Sequence, residues 1–158
     1  TIILTDDMVE MVDGNVDVLV GVLAHELGHV QDRHGMRMLV QVMLLGTVSS
    51  VLLGDFSTVL AGGAALVGQS HYSRQAEREA DAAAVRILRA GGISPAAMVT
   101  LFDKLAEKRR SSKAPAQPDE KNGKDGNDEK AHWLGLTFAS HPADAERVRF
   151  FQEAAKGR

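Results

Sequence analysis

The chain has 158 residues, six of them histidine and none cysteine, and a formal net charge of −3. That length suits one domain with a core of its own. The lack of cysteine excludes disulfides, thiolate zinc sites and cysteine nucleophiles, so any metal must be held by His, Asp or Glu. The small negative charge, with no basic stripe interleaved with aromatics, gives no reason to expect a nucleic-acid partner.

Aromatic residues make up only 4% of the chain, so alanine, valine and leucine must fill the core. Residues Thr1 to Thr5 read as a short β-branched strand. The chain opens on Thr1 and runs straight into Ile2-Ile3-Leu4, which suggests a piece of a longer or processed chain. Asp13-Gly14-Asn15 is a turn signal, and from Val16 the pattern is helical to about His34. Asn15 or Asp13 can cap the start of that helix, and Gly35 stands where a C-terminal glycine belongs.

The stretch from Met36 to Tyr72 is the most apolar. It breaks near Gly54-Asp55, which predicts a hairpin of two helices. There are 17 uncharged residues between Arg37 and Asp55, and 18 between Asp55 and Arg74. Those lengths lie at the lower edge for crossing a bilayer. Gly62-Gly63, Gly68, Gln69 and His71 weaken a spanning reading of the second arm, so a buried or surface-docking hairpin is expected, with a transmembrane pair as the alternative. Any membrane contact is expected through residues 38–70 or a segment upstream of Thr1.

Arg74 to Ala90 reads as a helix capped by Ser73 and stopped by Gly91-Gly92. Ser94-Pro95 starts another, which ends in Lys108-Arg109-Arg110, a charge that suits a helix C-terminus. Residues 111–130 are polar and charged, with too little apolar surface to offset the entropy of ordering, and read as a mobile loop. Trp133 to Phe138 returns to apolar character and is expected to dock. Pro142 begins a last helix that ends near Ala155.

The string His25-Glu26-Leu27-Gly28-His29 falls inside the first long helix. At 100° per residue the two histidines lie about 40° apart, one turn along the axis, so both imidazoles can reach one metal ion. Glu26 sits about 100° from His25 and about 60° from His29, where its carboxylate can take a proton from a water activated at that metal. A plain amphipathic helix can also repeat histidine at this spacing. Against that, Val18, Leu19, Val22, Leu23, Leu27 and Val30 predict a largely buried helix, in which two histidines and a glutamate are costly unless paired or ligating.

A catalytic zinc takes three protein ligands and an open fourth position. Glu77 is the best third candidate. It shares a helix face with Asp81, so one carboxylate can ligate while the other holds a ligand histidine from behind. Glu79 is the runner-up ligand. A solvated face paired with Arg74 and Arg78 is the plainer reading of these acids. His34 reads as a helix-end residue and His71 as a loop residue, and His132 gets no role.

H-E-L-G-H, a long apolar insert, S-R-Q-A-E-R-E-A-D and a late S-H-P together resemble one peptidase family. It is the gluzincin family that holds the HtpX heat-shock protease and the CAAX prenyl protease. The resemblance runs from about Thr1 to the last helix and omits the charged loop. It implies a zincin-like, mainly α (α+β) metallopeptidase domain spanning 1–158, with a small N-terminal β element and the apolar hairpin. It implies one Zn2+ per chain held by His25, His29 and Glu77, Glu26 as general base, and Asp81 orienting a ligand histidine. It further implies that His141 and Arg147 lie near the zinc and steady the substrate or the developing oxyanion.

The expected activity is hydrolysis of peptide bonds in unfolded or damaged proteins. The resemblance implies a place in quality control of the bacterial cell envelope, periplasmic or inner-membrane-associated. An extended substrate could add to the edge of the strand at Ile2 to Leu4. The reading from a different class is a zinc-stabilised, catalytically inactive module that binds proteins or membranes, for which Glu26 has no evident use.

Overall fold

The computed structural model describes residues 2–53, 73–113, 141 and 145–157. The described elements are helices, in the order α1 (Asp6–Met11), α2 (Val16–Gln31), α3 (His34–Leu53), α4 (Arg74–Ala90), α5 (Ala96–Lys113) and α6 (Ala145–Lys156). The fold is mainly α. Among the described residues there is no strand, and Ile2 to Thr5, where a strand is expected, carry no regular structure. A strand needs a second strand for its hydrogen bonds, and the described residues supply none. The Gly54-Asp55 break, the second arm of the hairpin with His71, the segment 114–140 with His132, and Pro142 lie outside the described residues.

The first helix comes earlier than expected. Thr5 caps α1, its Oγ1 accepting from Met8 N at 3.4 Å, and Asp6 and Asp7 place negative charge in the first turn. Left-handed Asp13 and Gly14 then reverse the chain, with φ of 53° and 66°. Asn15 starts α2 as expected, its Oδ1 accepting from Val18 N at 3.2 Å. The helix stops at Gln31, short of the expected His34. Arg33, with φ of 53°, takes the left-handed position that Gly35 was expected to fill, and α3 begins immediately at His34.

Helix α4 runs between the expected signals. Ser73 Oγ accepts from Ala76 N at 3.2 Å, and the helix ends at Gly91. Helix α5 continues through Ser111 to Lys113, so the first three residues of the expected loop are helical; Ser111 Oγ bonds back to Glu107 O at 3.1 Å, which lets a serine remain helical.

Helices α2 and α4 form the most extensive pair, α5 crosses α2, and α6 packs on α5 and α4. Leu88, Met98, Leu101, Phe102 and Phe151 dominate the core where these helices meet, and α1 adds Met8 and Met11. The buried stripe of α2 is Val18, Gly21, Ala24, His25, Gly28 and His29, whereas Leu23, Leu27 and Val30 face outward. The expected burial holds for Val18, and Leu19 and Val22 pack against the core, but Leu23, Leu27 and Val30 do not enter it: small residues and the two histidines take the buried side. Along α3, Met36, Val40, Met43, Leu44, Val48 and Val51 are exposed on one side. No helix among the described residues is long and apolar enough to cross a membrane.

Helix α6 is tied at its C-terminal end by Arg89, whose Nη2 donates to Ala154 O at 2.8 Å and Gly157 O at 2.6 Å. Phe151 anchors its middle, fully buried with its ring 6.0 Å from that of Phe102. Phe151→Ala should lower unfolding stability by about 3–5 kcal/mol, as expected for removal of a buried aromatic. Chemical denaturation would measure this, and a loss under about 1 kcal/mol would mean that α6 does not depend on this anchor.

Candidate metal centre

The site depends on how closely α2 approaches α4. A Cβ added at Gly28 would lie 2.9 Å from Ala80 Cα and 2.9 Å from Ala83 Cβ, so only glycine admits the backbone of α4 at this point. With the helices this close, Glu77, one turn before Ala80, reaches the histidines flanking Gly28. His25 Nε2 and His29 Nε2 lie 3.1 Å apart. Glu77 Oε2 is 3.5 Å from His25 Nε2, and Glu77 Oε1 is 3.3 Å from His29 Nε2.

These separations provide a test of metal fit. A tetrahedral zinc with bonds of 2.0–2.1 Å holds its ligand atoms about 3.3–3.4 Å from one another. The two nitrogens, 3.1 Å apart, and the Glu77 oxygens, one 3.5 Å from His25 Nε2 and the other 3.3 Å from His29 Nε2, lie close to that spacing, and all three residues are buried. The donor set, two imidazole nitrogens and a carboxylate with no thiolate, is one that zinc accepts at a catalytic site.

His141, just before α6, joins the same cluster. Its Nδ1 lies 3.0 Å from Glu77 Oε1 and 3.4 Å from His25 Nε2. One ligand atom from each of His25, His29, Glu77 and His141 lies within 4.8 Å of the others. Glu26 borders the cluster on its more open side. Its Oε1 is 3.6 Å from His141 Nε2, and these two side chains are 33% and 17% exposed, against 4–5% for His25, His29 and Glu77. Glu26 and His141 are thus more exposed than the three residues they border.

The two carboxylates of α4 are held from the other side. Asp81 Oδ1 lies 2.9 Å from His25 Nδ1, a contact that favours keeping the proton on that nitrogen and leaves the lone pair of Nε2 facing the cluster. Arg147 is buried against both acids: Nε and Nη2 each lie 2.7 Å from an Asp81 oxygen, and Nη1 lies 2.7 Å from Glu77 Oε2. Its guanidinium carbon also sits 5.2 Å from the centre of the Phe102 ring. The structure thus brings Arg147 to the site, but as a clamp on Glu77 and Asp81.

The electrostatics follow from burial and partners. Burial pulls His25 down, but its hydrogen bonds to Asp81 and Glu77 outweigh this and raise its pKa to about 8. Burial keeps His29 below its ordinary value. For Glu77, burial acts upward, yet hydrogen bonds from His141, His25 and His29 and the charge of Arg147 hold its carboxyl well below the usual range. Two buried carboxylates face one buried guanidinium, so a cation among the donors would offset the remaining negative charge.

Glu79, the runner-up ligand, points away from the cluster. Its Oε2 bonds His34 Nε2 at 2.9 Å and Arg37 Nη1 at 3.1 Å. Sequence reasoning passed over two residues here. His34 is buried, with its Nδ1 2.9 Å from His29 Nδ1. Gly28 had a readable signal, being a glycine on the helix face that carries both histidines.

This helical domain gathers around one point a group of side chains that could hold a metal ion. The chain belongs to Peptidase family M48, which it matches over residues 1–155. It is similar to the beta-barrel assembly-enhancing protease of Escherichia coli (strain K12), at 32% identity over 117 residues, covering 65% of this chain and 24% of that protein. It is also similar to the metalloprotease LoiP of the same organism, at 31% identity over 154 residues, covering 90% of this chain and 50% of LoiP. The chain thus spans about a quarter of the first relative's length and half of the second's. No solved structure matches it.

Proposed function

We propose that this domain is a zinc-dependent endopeptidase that cuts unfolded or damaged proteins of the bacterial cell envelope. The observation that carries this reading is the position of Glu26. It stands at the more open side of the cluster of His25, His29, Glu77 and His141 and is not one of its members. His25, His29 and Glu77 would hold the zinc, one per chain. Zinc bound there would supply Lewis acidity, making water acidic near neutral pH and polarising a carbonyl.

The chain's own groups do the rest. Glu26 takes the proton from the attacking water and delivers it to the leaving amine. His141, beside Glu26 at the mouth, is the group placed to donate to a developing oxyanion. Arg147 acts through Glu77 and Asp81, fixing the ligand carboxylate and the aspartate behind His25. The envelope setting rests on the relatives, one of which is named for enhancing β-barrel assembly. The exposed apolar side of α3 supports membrane or client contact within 38–70.

A second reading, a zinc-stabilised interaction module without catalysis, draws on His141. A fourth protein donor closes a zinc site, as structural sites are closed. One experiment separates the two. Chelator-treated protein should not cut casein, and one equivalent of zinc per chain should restore cutting. Zinc uptake without cutting favours the module. Cutting that survives complete metal removal sinks the metallopeptidase reading.

A further inference from the structure

The two ligand histidines are backed differently. His25 has a carboxylate directly behind it, Asp81 at 2.9 Å from Nδ1. Behind His29 stands a second histidine, with His34 Nδ1 2.9 Å from His29 Nδ1. His34 is in turn followed by a carboxylate, its Nε2 lying 2.9 Å from Glu79 Oε2. Arg37 Nη1 donates to that same oxygen at 3.1 Å, and Gln75 Nε2 donates to Glu79 Oε1 at 3.0 Å. Each ligand histidine thus ends in a carboxylate held by an arginine: Asp81 with Arg147, and Glu79 with Arg37.

From this arrangement we infer that His34 and Glu79 form a relay that sets the tautomer and ring orientation of His29, making both positioning residues for the zinc. The direction of the hydrogen bonds follows from the far end. An ionised Glu79 only accepts, so His34 Nε2 carries the proton of that bond. A neutral imidazole protonated on Nε2 has a lone pair on Nδ1. His34 Nδ1 therefore accepts, and His29 Nδ1 is the donor. That leaves the lone pair of His29 on Nε2, the atom that faces His25 Nε2 and Glu77.

The local fold makes the relay possible. Arg33 in the left-handed region turns the chain sharply after α2, so the first residue of α3 folds back against the last turn of α2. His34 is buried there, whereas its neighbours Gly35, Met36 and Arg37 are exposed. A buried histidine beside three exposed residues needs polar partners, and this one bonds both His29 and Glu79.

The inference rests on the metal-site reading above, and one set of measurements separates the two. Zinc affinity is read by competition with a chromophoric chelator, for the unmodified chain and for His34→Ala, His34→Asn, Glu79→Ala and Glu79→Gln. Ring 15N shifts of His29 in the zinc-loaded protein report its tautomer, and unfolding of the metal-free protein reports folding. His34→Ala should weaken zinc binding by about 10- to 100-fold, the range for losing a partner behind a ligand histidine. His34→Asn should recover most of this, because its amide oxygen stands where Nδ1 stood. Glu79→Ala should weaken binding less than His34→Ala, and Glu79→Gln least, since the amide still accepts from His34.

If the unmodified chain takes up no zinc, the metal-site reading fails and the relay fails with it. If it binds zinc and His34→Ala binds as tightly, with the His29 ring signature unchanged, only the relay is overturned. Should His34→Ala not fold, Glu79→Ala decides. Its side chain is one-third exposed and lies at the outer end of the relay. Weaker zinc binding with unchanged metal-free stability supports the relay, and unchanged zinc binding overturns it.

Discussion

Glu26→Gln should keep a full complement of zinc and lose about 10²- to 10⁴-fold in casein cleavage, the usual worth of a positioned general base. The geometry sets this expectation. Glu26 borders the donor cluster without belonging to it, so its charge is not needed to hold the metal. It is also the most exposed of the acids and histidines around the cluster, as a group that exchanges protons with water and substrate must be. Glutamine preserves its size and its reach toward His141 but cannot accept a proton at neutral pH. Metal content and cleavage therefore part company in this variant. Loss of both together would move Glu26 into the ligand set. A variant that cuts within a few-fold of its parent would remove Glu26 from the mechanism.

Gly28→Ala should both destabilise the fold and weaken zinc binding. In an open stretch of helix this change is favourable by about 0.5–1 kcal/mol, because alanine gives up less backbone freedom than glycine. Here the new Cβ would meet Ala80 Cα and Ala83 Cβ at 2.9 Å and Ala80 O at 3.1 Å. Carbon contacts settle near 3.5–4.0 Å, so α2 and α4 would have to separate by about half an ångström or more. Most of the opposing atoms are backbone, so no rotamer change relieves the clash. Overpacking of this kind costs about 1–3 kcal/mol, enough to reverse the sign of the propensity gain.

The separation falls beside His29 and one turn from Glu77, so ligands on the two helices drift apart together. Gly21→Ala is the internal control. Its nearest neighbour would be the flexible Met98 sulfur at 2.6 Å, which can swing aside at smaller cost. A Gly28→Ala chain that unfolds later than its parent and binds zinc equally well would show that the helices are not held at this distance.

Where a pattern lies within a single helix, the sequence can be read almost to the residue. Ser73 and Gly91 bracket α4, and Asn15 starts α2, because capping is a matter of neighbours three residues apart. The same holds for His25, Glu26 and His29, and for Glu77 with Asp81, whose spacings fix a shared face. What escaped depends on packing between elements. Leu23, Leu27 and Val30 looked like core, yet periodicity cannot say which of two apolar faces meets the partner, and the smaller one does. His34 looked like the end of a helix because nothing local announces that Arg33 turns left-handed in place of Gly35. Arg147 was expected beside the substrate, and only the docking of α6 shows its guanidinium against Glu77 and Asp81.

The cluster around His25 is assembled from distant stretches of chain, with His141 lying 116 residues beyond it. An emerging polypeptide that has made only α2 presents two imidazoles, a weak site by itself. The carboxylate arrives with α4, and the clamp on that carboxylate arrives only with α6. A copy in which α4 and α6 have not docked on α2 therefore lacks both the Glu77 carboxylate and its clamp beside the two imidazoles. Completing the donor set and completing the packing of these helices are thus one event.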